Sequence, residues 1–565
     1  MKNLHRVKKT ITLLTLCFVG STSFYGQTKS IKKTKLVVGI VVDQMRSEQL
    51  YRYEKKFSND GFKRMIREGF NYKNTQYNYI ATVTAAGHSS IYTGTTPATH
   101  GVIGNSWYNR YDKKKHGSVE DLNVELVGSK NQNSTGASPK KLLTSTISDQ
   151  LRMSNNFRSK VISVSLKDRG AVLPGGHLAN AAYWHDIETS PGYFVSSTYY
   201  MNKLPKWVNT FNKLEKSSKY LDTIWNTFYP IKSYTESYGD NNAYEVILGE
   251  ESPTFPYNFK KLRKKYRKRN IEYLMLGFTP AGNTLLTEFA IDAIKNEKLG
   301  KNEDTDMLTI SYSVTDKAGH LFGPNSVEIE DIYIRLDREI SKLLTYLDNT
   351  VGKGEYTVFL TSDHGAVPVA SYLNDIKIPT GVARIASYKK LLSAHLNTKY
   401  GENSWVENFE DHQLYLNRKI ISEKGLNLAN VQQEAADFLV NFKDVSSALT
   451  AYHLQTSQYS SGVRELLQNG YNQKRSGDVL LTFNSGVVQD DDSEINVSAV
   501  KGTIHGSGYS YDTHVPLLWF GNGISHGASV RKVSPIDVSS TLSMFLNLQL
   551  PSGNTGSPLK ELFKK

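Results

Sequence analysis

LVVGIVVD, Leu36 to Asp43, decides the fold: an unbroken apolar run with a single glycine ends on a carboxylate. A run this short, rich in β-branched residues and without polar alternation, is the pattern of a strand buried on both faces, as in a parallel sheet. Four further runs share it: KVISVSL (Lys160 to Leu166), MLTISYSV (Met307 to Val314), YTVFLTS (Tyr356 to Ser362) and VPLLWFG (Val515 to Gly521). Between two of them Ile332, Leu336, Ile340, Leu344 and Leu347 recur at helical spacing with charges opposite, which predicts an amphipathic helix covering the sheet. The expected fold class is α/β, a mostly parallel central sheet flanked by helices.

In open α/β sheets the ligand crevice lies at the carboxyl ends of the strands. Asp43, Lys167, Asp316 and Asp363 each follow an apolar run immediately or within a residue or two, so they are expected to converge there. In TDKAGH, Asp316 and His320 stand four apart, on one face of a helical turn where both can grip one ion. In TSDHGA, a bend after the strand can aim Asp363 and His364 into the same crevice. KGTIHGSGYSYDTHVPL offers His505, set among glycines in a loop, and His514, which enters a strand; His505 is the better ligand candidate and His514 the better core or supporting histidine.

ATVTAAGHSSIYTG supplies a hydroxyl, Thr84, followed by small residues that permit a tight helix entry, where backbone N–H groups attract a phosphate. Thr82 and Ser89 are rival hydroxyls, helix capping is the commoner role of such a threonine, and His88 is a packed or supporting histidine. Asp43, Thr84, Asp316, His320, Asp363, His364 and His505 together mix carboxylate, imidazole and hydroxyl donors without thiolate. That set suits two zinc or similar divalent ions better than copper or an iron–sulfur cluster. A hydroxyl beside paired metals can lose its proton and attack phosphorus, which points to phosphoryl transfer. SLKDRG places Lys167 and Arg169 two apart at a strand end, hence on one side with Asp168 turned away, where they could clamp phosphate oxygens. Asn105 in GVIGNSWYN could add a neutral donor.

The first residues, MKNLHRVKKTITLLTLCFVGSTSFYGQ, have a basic start, an apolar stretch from about Ile11 to Val19 and small or polar residues after it. This predicts a cleaved secretory signal peptide over 1–26, with cleavage after Ser23 or Gly26, and a periplasmic or secreted product. Cys17, the single cysteine, lies inside it with Leu16 and Phe18 as poor neighbours for a lipidation box, so the mature chain has no disulfide. No later segment approaches the length of a membrane span. The formal charge of +14 falls to +10 without Lys2, Arg6, Lys8 and Lys9, and a cationic surface draws in anionic substrates. The densest run, KKLRKKYRKR from Lys260 to Arg269, is better read as a solvated face than as a nucleic-acid patch, since no nucleic-acid motif accompanies it. Tyrosine- and asparagine-rich stretches at about 185–300 and 375–500 interrupt the alternation of strands and helices, and are expected to be insertions capping a catalytic domain that spans 33–565.

Taken together, VVDQM, TVTAAGHSSIYTGTTPATHGVIGN, SLKDRG, FGPNSVEIEDIYIRLDREI, TSDHGA and GTIHGSGYSYDTHVPL resemble the alkaline phosphatase superfamily, and within it the phosphate-insensitive alkaline phosphatases of the PafA type. The likeness runs from about Lys35 to the carboxyl end. It implies one zinc on Asp316, His320 and His505, and another on Asp43, Asp363 and His364 with Thr84 beside it as nucleophile. It also implies Asn105, Lys167 and Arg169 as phosphate ligands. The implied activity is hydrolysis of small-molecule phosphate monoesters through a threonyl-phosphate, with no obligate nucleic-acid partner; the oligomeric state is left open, a monomer being favoured. The alternatives are a nucleotide pyrophosphatase or phosphodiesterase with the same zincs and nucleophile, or a surface binding protein that keeps the fold without turnover. A sulfatase is disfavoured, because that class uses a modified cysteine or serine.

Overall fold

The structure is a computed structural model that describes residues 32–129, 135–186, 192–249, 252–269, 271–490 and 495–563. The expected signal peptide and Cys17 lie outside the described residues.

Leu36–Val42 is fully buried and occupies the middle of an eleven-stranded mixed sheet. Its parallel neighbours are Asp306–Tyr312 on one side and Tyr356–Thr361 on the other, and Val161–Ser165 and Ala181–His185 continue the parallel order beyond Asp306–Tyr312. The period-two alternation of a strand sorts its side chains into two cores. Leu36, Val38, Ile40 and Val42 join one, Val37 and Val41 the other. Gly39 has no side chain because a Cβ there would lie 2.5 Å from the Tyr92 hydroxyl and 2.6 Å from the Phe359 ring.

The helix expected from Ile332 to Leu347 spans Val327–Leu347 and buries Ile332, Leu336, Ile340, Leu344 and Leu347 against the first core. Ser326 caps it, its hydroxyl accepting the Ile329 N–H at 3.2 Å.

The VPLLWFG run departs from expectation. His514–Gly521 is a buried strand, but it runs antiparallel to Tyr356–Thr361 and to Phe70–Gln76. An apolar run records burial on both faces and carries no information about direction. The far side of the sheet is also antiparallel, where Phe194–Ser197 and Glu120–Val127 follow Ala181–His185.

A second sheet of four antiparallel strands, Val406–Glu410, Gln413–Leu416, Val479–Phe483 and Val445–Thr450, has its own core around Trp405, Leu392, Val431 and Leu481. The basic run forms the helix Phe259–Arg267: Phe259 and Leu262 face the core while Lys260, Lys261, Lys264 and Lys265 are exposed. Among the described residues no helix is long and apolar enough to cross a membrane.

Candidate active site

The register of the central strands brings four chain ends to one height. Val42 stands opposite Tyr312, Val41 opposite Thr361, and Ser165 opposite Ser311. With neighbouring strands about 4.8 Å apart, these four ends fall within about 15 Å. Asp43 leaves the first, Asp316 lies in the first turn of the helix Val314–Phe322 after the second, Asp363 and His364 leave the third, and Lys167 follows the fourth.

Two groups result, in each of which one ligand atom per residue lies within 4.8 Å of the others: Asp316, His320 and His505, and Asp43, Asp363 and His364. They are adjacent, since the His364 and His505 rings stack with centroids 3.6 Å apart and planes at 14°. Thr84 opens the helix Thr84–Thr93 with its Oγ1 3.5 Å from His364 Nε2. His514 stays apart, its Nε2 2.9 Å from the Lys73 carbonyl.

The donor set fits divalent cations. His320, His364 and His505 each donate Nδ1–H to a main-chain carbonyl, of Thr503 at 2.7 Å, Gly365 at 2.9 Å and Thr82 at 2.8 Å. In the neutral imidazole this sets the tautomer and leaves the Nε2 lone pair for a ligand. These nitrogens face carboxylate oxygens: His320 and His505 lie 3.2 and 3.5 Å from Asp316 Oδ1, and His364 lies 3.4 Å from Asp43 Oδ1. Lone pairs set against carboxylates call for a cation between them. Asp43 Oδ1 is moreover buried without a hydrogen-bond donor, which is costly for an ionised group unless a positive charge sits there.

Electrostatics agree. Burial pushes the Asp43 carboxyl well up, and Asp316 and Asp363 push it further than Lys167 opposes. Burial also pushes His364 down to about 3, so its imidazole is neutral. For Lys167, burial alone would lower the ammonium's pKa, but Asp316 and Asp43 outweigh it and hold the group charged. Three buried carboxylates thus crowd one ammonium, and against burial Asp316 raises the His320 pKa; further cations would relieve this crowding of negative charge.

Lys167 Nζ lies 2.6 Å from Asp43 Oδ2, 2.5 Å from Asp316 Oδ2 and 3.4 Å from Thr84 Oγ1. Its backbone differs from the expected strand end. The strand stops at Ser165, Lys167 is the extended residue before a helix, and Arg169 lies in the first turn of Asp168–Gly175. Asp168 does not turn away from its neighbour: its Oδ1 accepts the Arg169 N–H at 2.6 Å and lies 3.7 Å from the guanidinium. Arg169 Nε is buried without a hydrogen-bond acceptor, and the guanidinium's charge reaches Lys167. Asn105 Oδ1 accepts the Ala85 N–H at 3.0 Å, which ties its carboxamide to the residue after Thr84.

Supporting contacts come from residues whose roles lie in long-range pairing. His88 Nδ1 stands 2.9 Å from the Thr84 carbonyl and 3.3 Å from Asp363 Oδ2, while its Nε2 meets Ser311 Oγ at 2.8 Å. The rival hydroxyl Thr82 is occupied, donating to the Ser507 carbonyl at 2.8 Å. Ser89 is buried without a hydrogen-bond partner for its hydroxyl.

Comparison with known proteins places this arrangement. The family model for type I phosphodiesterase / nucleotide pyrophosphatase matches residues 37–508. Alkaline phosphatase PhoV of Synechococcus elongatus is 42% identical over 538 residues, covering 95% of this chain and 94% of that protein. Alkaline phosphatase PafA of Elizabethkingia meningoseptica is 40% identical, covering 95% and 96%. A Myroides odoratus protein named calcium-transporting ATPase is also 40% identical, covering 99% and 100%. The crystal structure of wild-type PafA superposes with a TM-score of 0.88 at 39% identity, covering 95% of this chain and all of that one. A PafA variant of known structure is substituted at a threonine, an asparagine, a lysine and an arginine spaced 21, 62 and 2 residues apart. Thr84, Asn105, Lys167 and Arg169 stand at the same intervals. The chain belongs to the type I phosphodiesterase / nucleotide pyrophosphatase family, in which its relatives include the alkaline phosphatases PhoV and PafA.

Proposed function

We propose that the protein is a secreted alkaline phosphatase that hydrolyses phosphate monoesters through a threonyl-phosphate on Thr84. Asp316, His320 and His505 would hold one zinc ion, and Asp43, Asp363 and His364 another, with the segments at about 185–300 and 375–500 capping the site. Bound zinc supplies the positive field that makes the Thr84 hydroxyl acidic and stabilises charge on the departing oxygen. The observation that carries the reading is the Lys167 ammonium 3.4 Å from Thr84 Oγ1.

Thr84 Oγ1 forms the new bond to phosphorus, its proton passes to solvent, and the bond between phosphorus and the ester oxygen breaks with its electron pair on the leaving alcohol. Water then attacks the phosphothreonine, freeing Thr84 and inorganic phosphate. During both steps Lys167, Arg169 and the Asn105 amide hold the nonbridging oxygens. A monoester carries one negative charge more than a diester. An opposite charge about 4 Å away is worth roughly 4 kcal/mol at an effective dielectric of 20, about a thousandfold for each such cation. The family's name includes phosphodiesterases, and Lys167 is the residue that favours the monoester instead. The terminal phosphoryl group of ATP presents the same charge and would be accepted too.

The test is hydrolysis of p-nitrophenyl phosphate against its bis ester by zinc-loaded protein, beside the Lys167→Ala/Arg169→Ala variant. A monoester preference of a hundredfold or more that collapses in the variant supports the reading. A diester preference indifferent to the two substitutions would make the protein a phosphodiesterase.

A further inference from the structure

We infer that Gln44 is a positioning residue that fixes the two carboxylate–imidazole groups relative to each other, and that Gly319 is glycine to make room for it. The inference rests on the two-metal reading.

Gln44 follows Asp43 at the end of the central strand, with Asp363 beyond the neighbouring strand on one side and Asp316 beyond the neighbour on the other. It is 4% exposed and has φ +63°, the left-handed region that residues other than glycine seldom enter. That turn lets its two halves point apart. The backbone N–H donates to Asp363 Oδ1 at 3.1 Å, and the side-chain Nε2 donates to Asp316 Oδ1 at 2.8 Å. One residue therefore hydrogen-bonds to a member of each group. Strain held at a buried position is expected where the surroundings require that geometry.

Both bonds also sort the oxygens of their acceptors. Gln44 holds Asp316 Oδ1 on the side of His320 and His505 while Lys167 takes Oδ2. It engages Asp363 Oδ1, leaving Oδ2 between His88 Nδ1 at 3.3 Å and His364 Nε2 at 3.6 Å. Without the carboxamide, Asp316 Oδ1 would lose its neutral donor, and Lys167 alone would fix the carboxylate's orientation.

Gly319 gives a second, independent observation. It lies three residues after Asp316 on the same helix, so both face the same way. A Cβ on Gly319 would fall 1.9 Å from Gln44 Oε1 and 3.0 Å from its carboxamide carbon. The glycine within TDKAGH is thus the floor on which the carboxamide rests, and a side chain there would push the carboxamide off Asp316.

The test uses Gln44→Gly, Gly319→Ala and the double variant of the full mature chain. Gln44→Gly deletes the carboxamide but keeps the backbone donor and suits a positive φ. Zinc affinity is read by competition with a chromophoric chelator, with kcat and KM for p-nitrophenyl phosphate measured alongside and circular dichroism as the fold control. Wild type should bind two zinc ions. Gln44→Gly should weaken one of them 10–100-fold, the range for losing a partner of a metal ligand, and change the other less than threefold. Gly319→Ala should lose a similar factor, and the double variant should be no worse than Gln44→Gly, because the alanine then has nothing to displace. Unchanged zinc affinities in Gln44→Gly, or losses that multiply in the double variant, would overturn the inference while leaving the two-metal reading intact. A wild type that binds no zinc would overturn both.

Discussion

Replacing Gly87 by alanine sets two physical effects against each other. In a helix interior alanine is favoured over glycine by about 0.8–1.0 kcal/mol, so propensity alone predicts a more stable protein. Gly87, however, lies against the chain that carries Asp363: an added Cβ would meet the Asp363 carbonyl oxygen at 2.2 Å, its Cβ at 2.6 Å and its Cα at 2.7 Å. Nonbonded carbon atoms settle at about 3.5–4.0 Å, so the helix Thr84–Thr93 and the Asp363 segment must separate by roughly 1 Å. Overpacking of that kind typically costs about 1–3 kcal/mol, which cancels or exceeds the gain in propensity. The larger effect falls on catalysis. Thr84 rides on the same helix, three residues before Gly87, with Oγ1 3.5 Å from His364 Nε2. A misplacement of about 1 Å between reacting groups can cost about a hundredfold, or about 2.7 kcal/mol of barrier. The assay is kcat/KM for p-nitrophenyl phosphate at matched zinc content, together with the thermal midpoint. A midpoint above wild type with kcat/KM within threefold would refute the reasoning, because the helix would then have moved freely and the contact would not set the site.

Three further outcomes are expected. Thr84→Ala should lower kcat about 10⁴-fold or more and abolish acid-stable phosphoryl incorporation, whereas Thr84→Ser should retain both in part. Asp478, fully buried, accepts from Arg110 at 2.9 Å, Arg418 at 2.9 Å, Gln432 at 3.0 Å and the Leu416 N–H at 2.8 Å. Asp478→Ala should cost about 3 kcal/mol in denaturant unfolding, the low end for a broken buried pair because Arg418 is partly exposed. Burial raises the pKa of Glu328 above the usual carboxyl range, and burial together with Glu328 raises that of Glu245 within hydrogen-bonding reach of it. The folded chain then holds protons that the unfolded chain releases, so this contribution is complete below the ordinary glutamate range and lost as pH rises through the folded values. Glu328→Gln, neutral at every pH, should therefore show a smaller fall in thermal midpoint between pH 5 and pH 9 than wild type does.

The strands of the central sheet were legible because burial on both faces leaves a mark in composition: LVVGIVV and YTVFLTS are apolar at nearly every position. Phe70–Gln76, FNYKNTQ, left no such mark, since its second half is partly exposed and held by ladder bonds to His514–Gly521. Direction left none either, which is why the antiparallel run of VPLLWFG emerged only from pairing. Within the site, the residues that follow apolar runs could be located from sequence because strand ends converge by topology. The setting of Lys167 and Arg169 could not, because one residue of continued extension or of helix start decides where the pair points. Gln44 was silent for a related reason. Its two bonds join it to residues 272 and 319 positions away, and they depend on a left-handed turn that glutamine does not announce.

Spreading the ligand atoms over the ends of distant strands has a consequence for how the protein is made. Asp316 and His505 are 189 residues apart, so the Asp316–His320–His505 group is complete in sequence only when about nine-tenths of the chain has been synthesised. Parallel strands joined by long connections also fold slowly, since distant pairings must close before they are rewarded. The group of Asp43, Asp363 and His364 is complete in sequence by residue 364, long before its neighbour. A truncated product ending between the two can therefore hold at most one intact group, and it lacks the second field that phosphoryl transfer at Thr84 would use. On the two-metal reading, a chain ending between residues 364 and 505 is expected to lack hydrolytic activity while still offering one intact group.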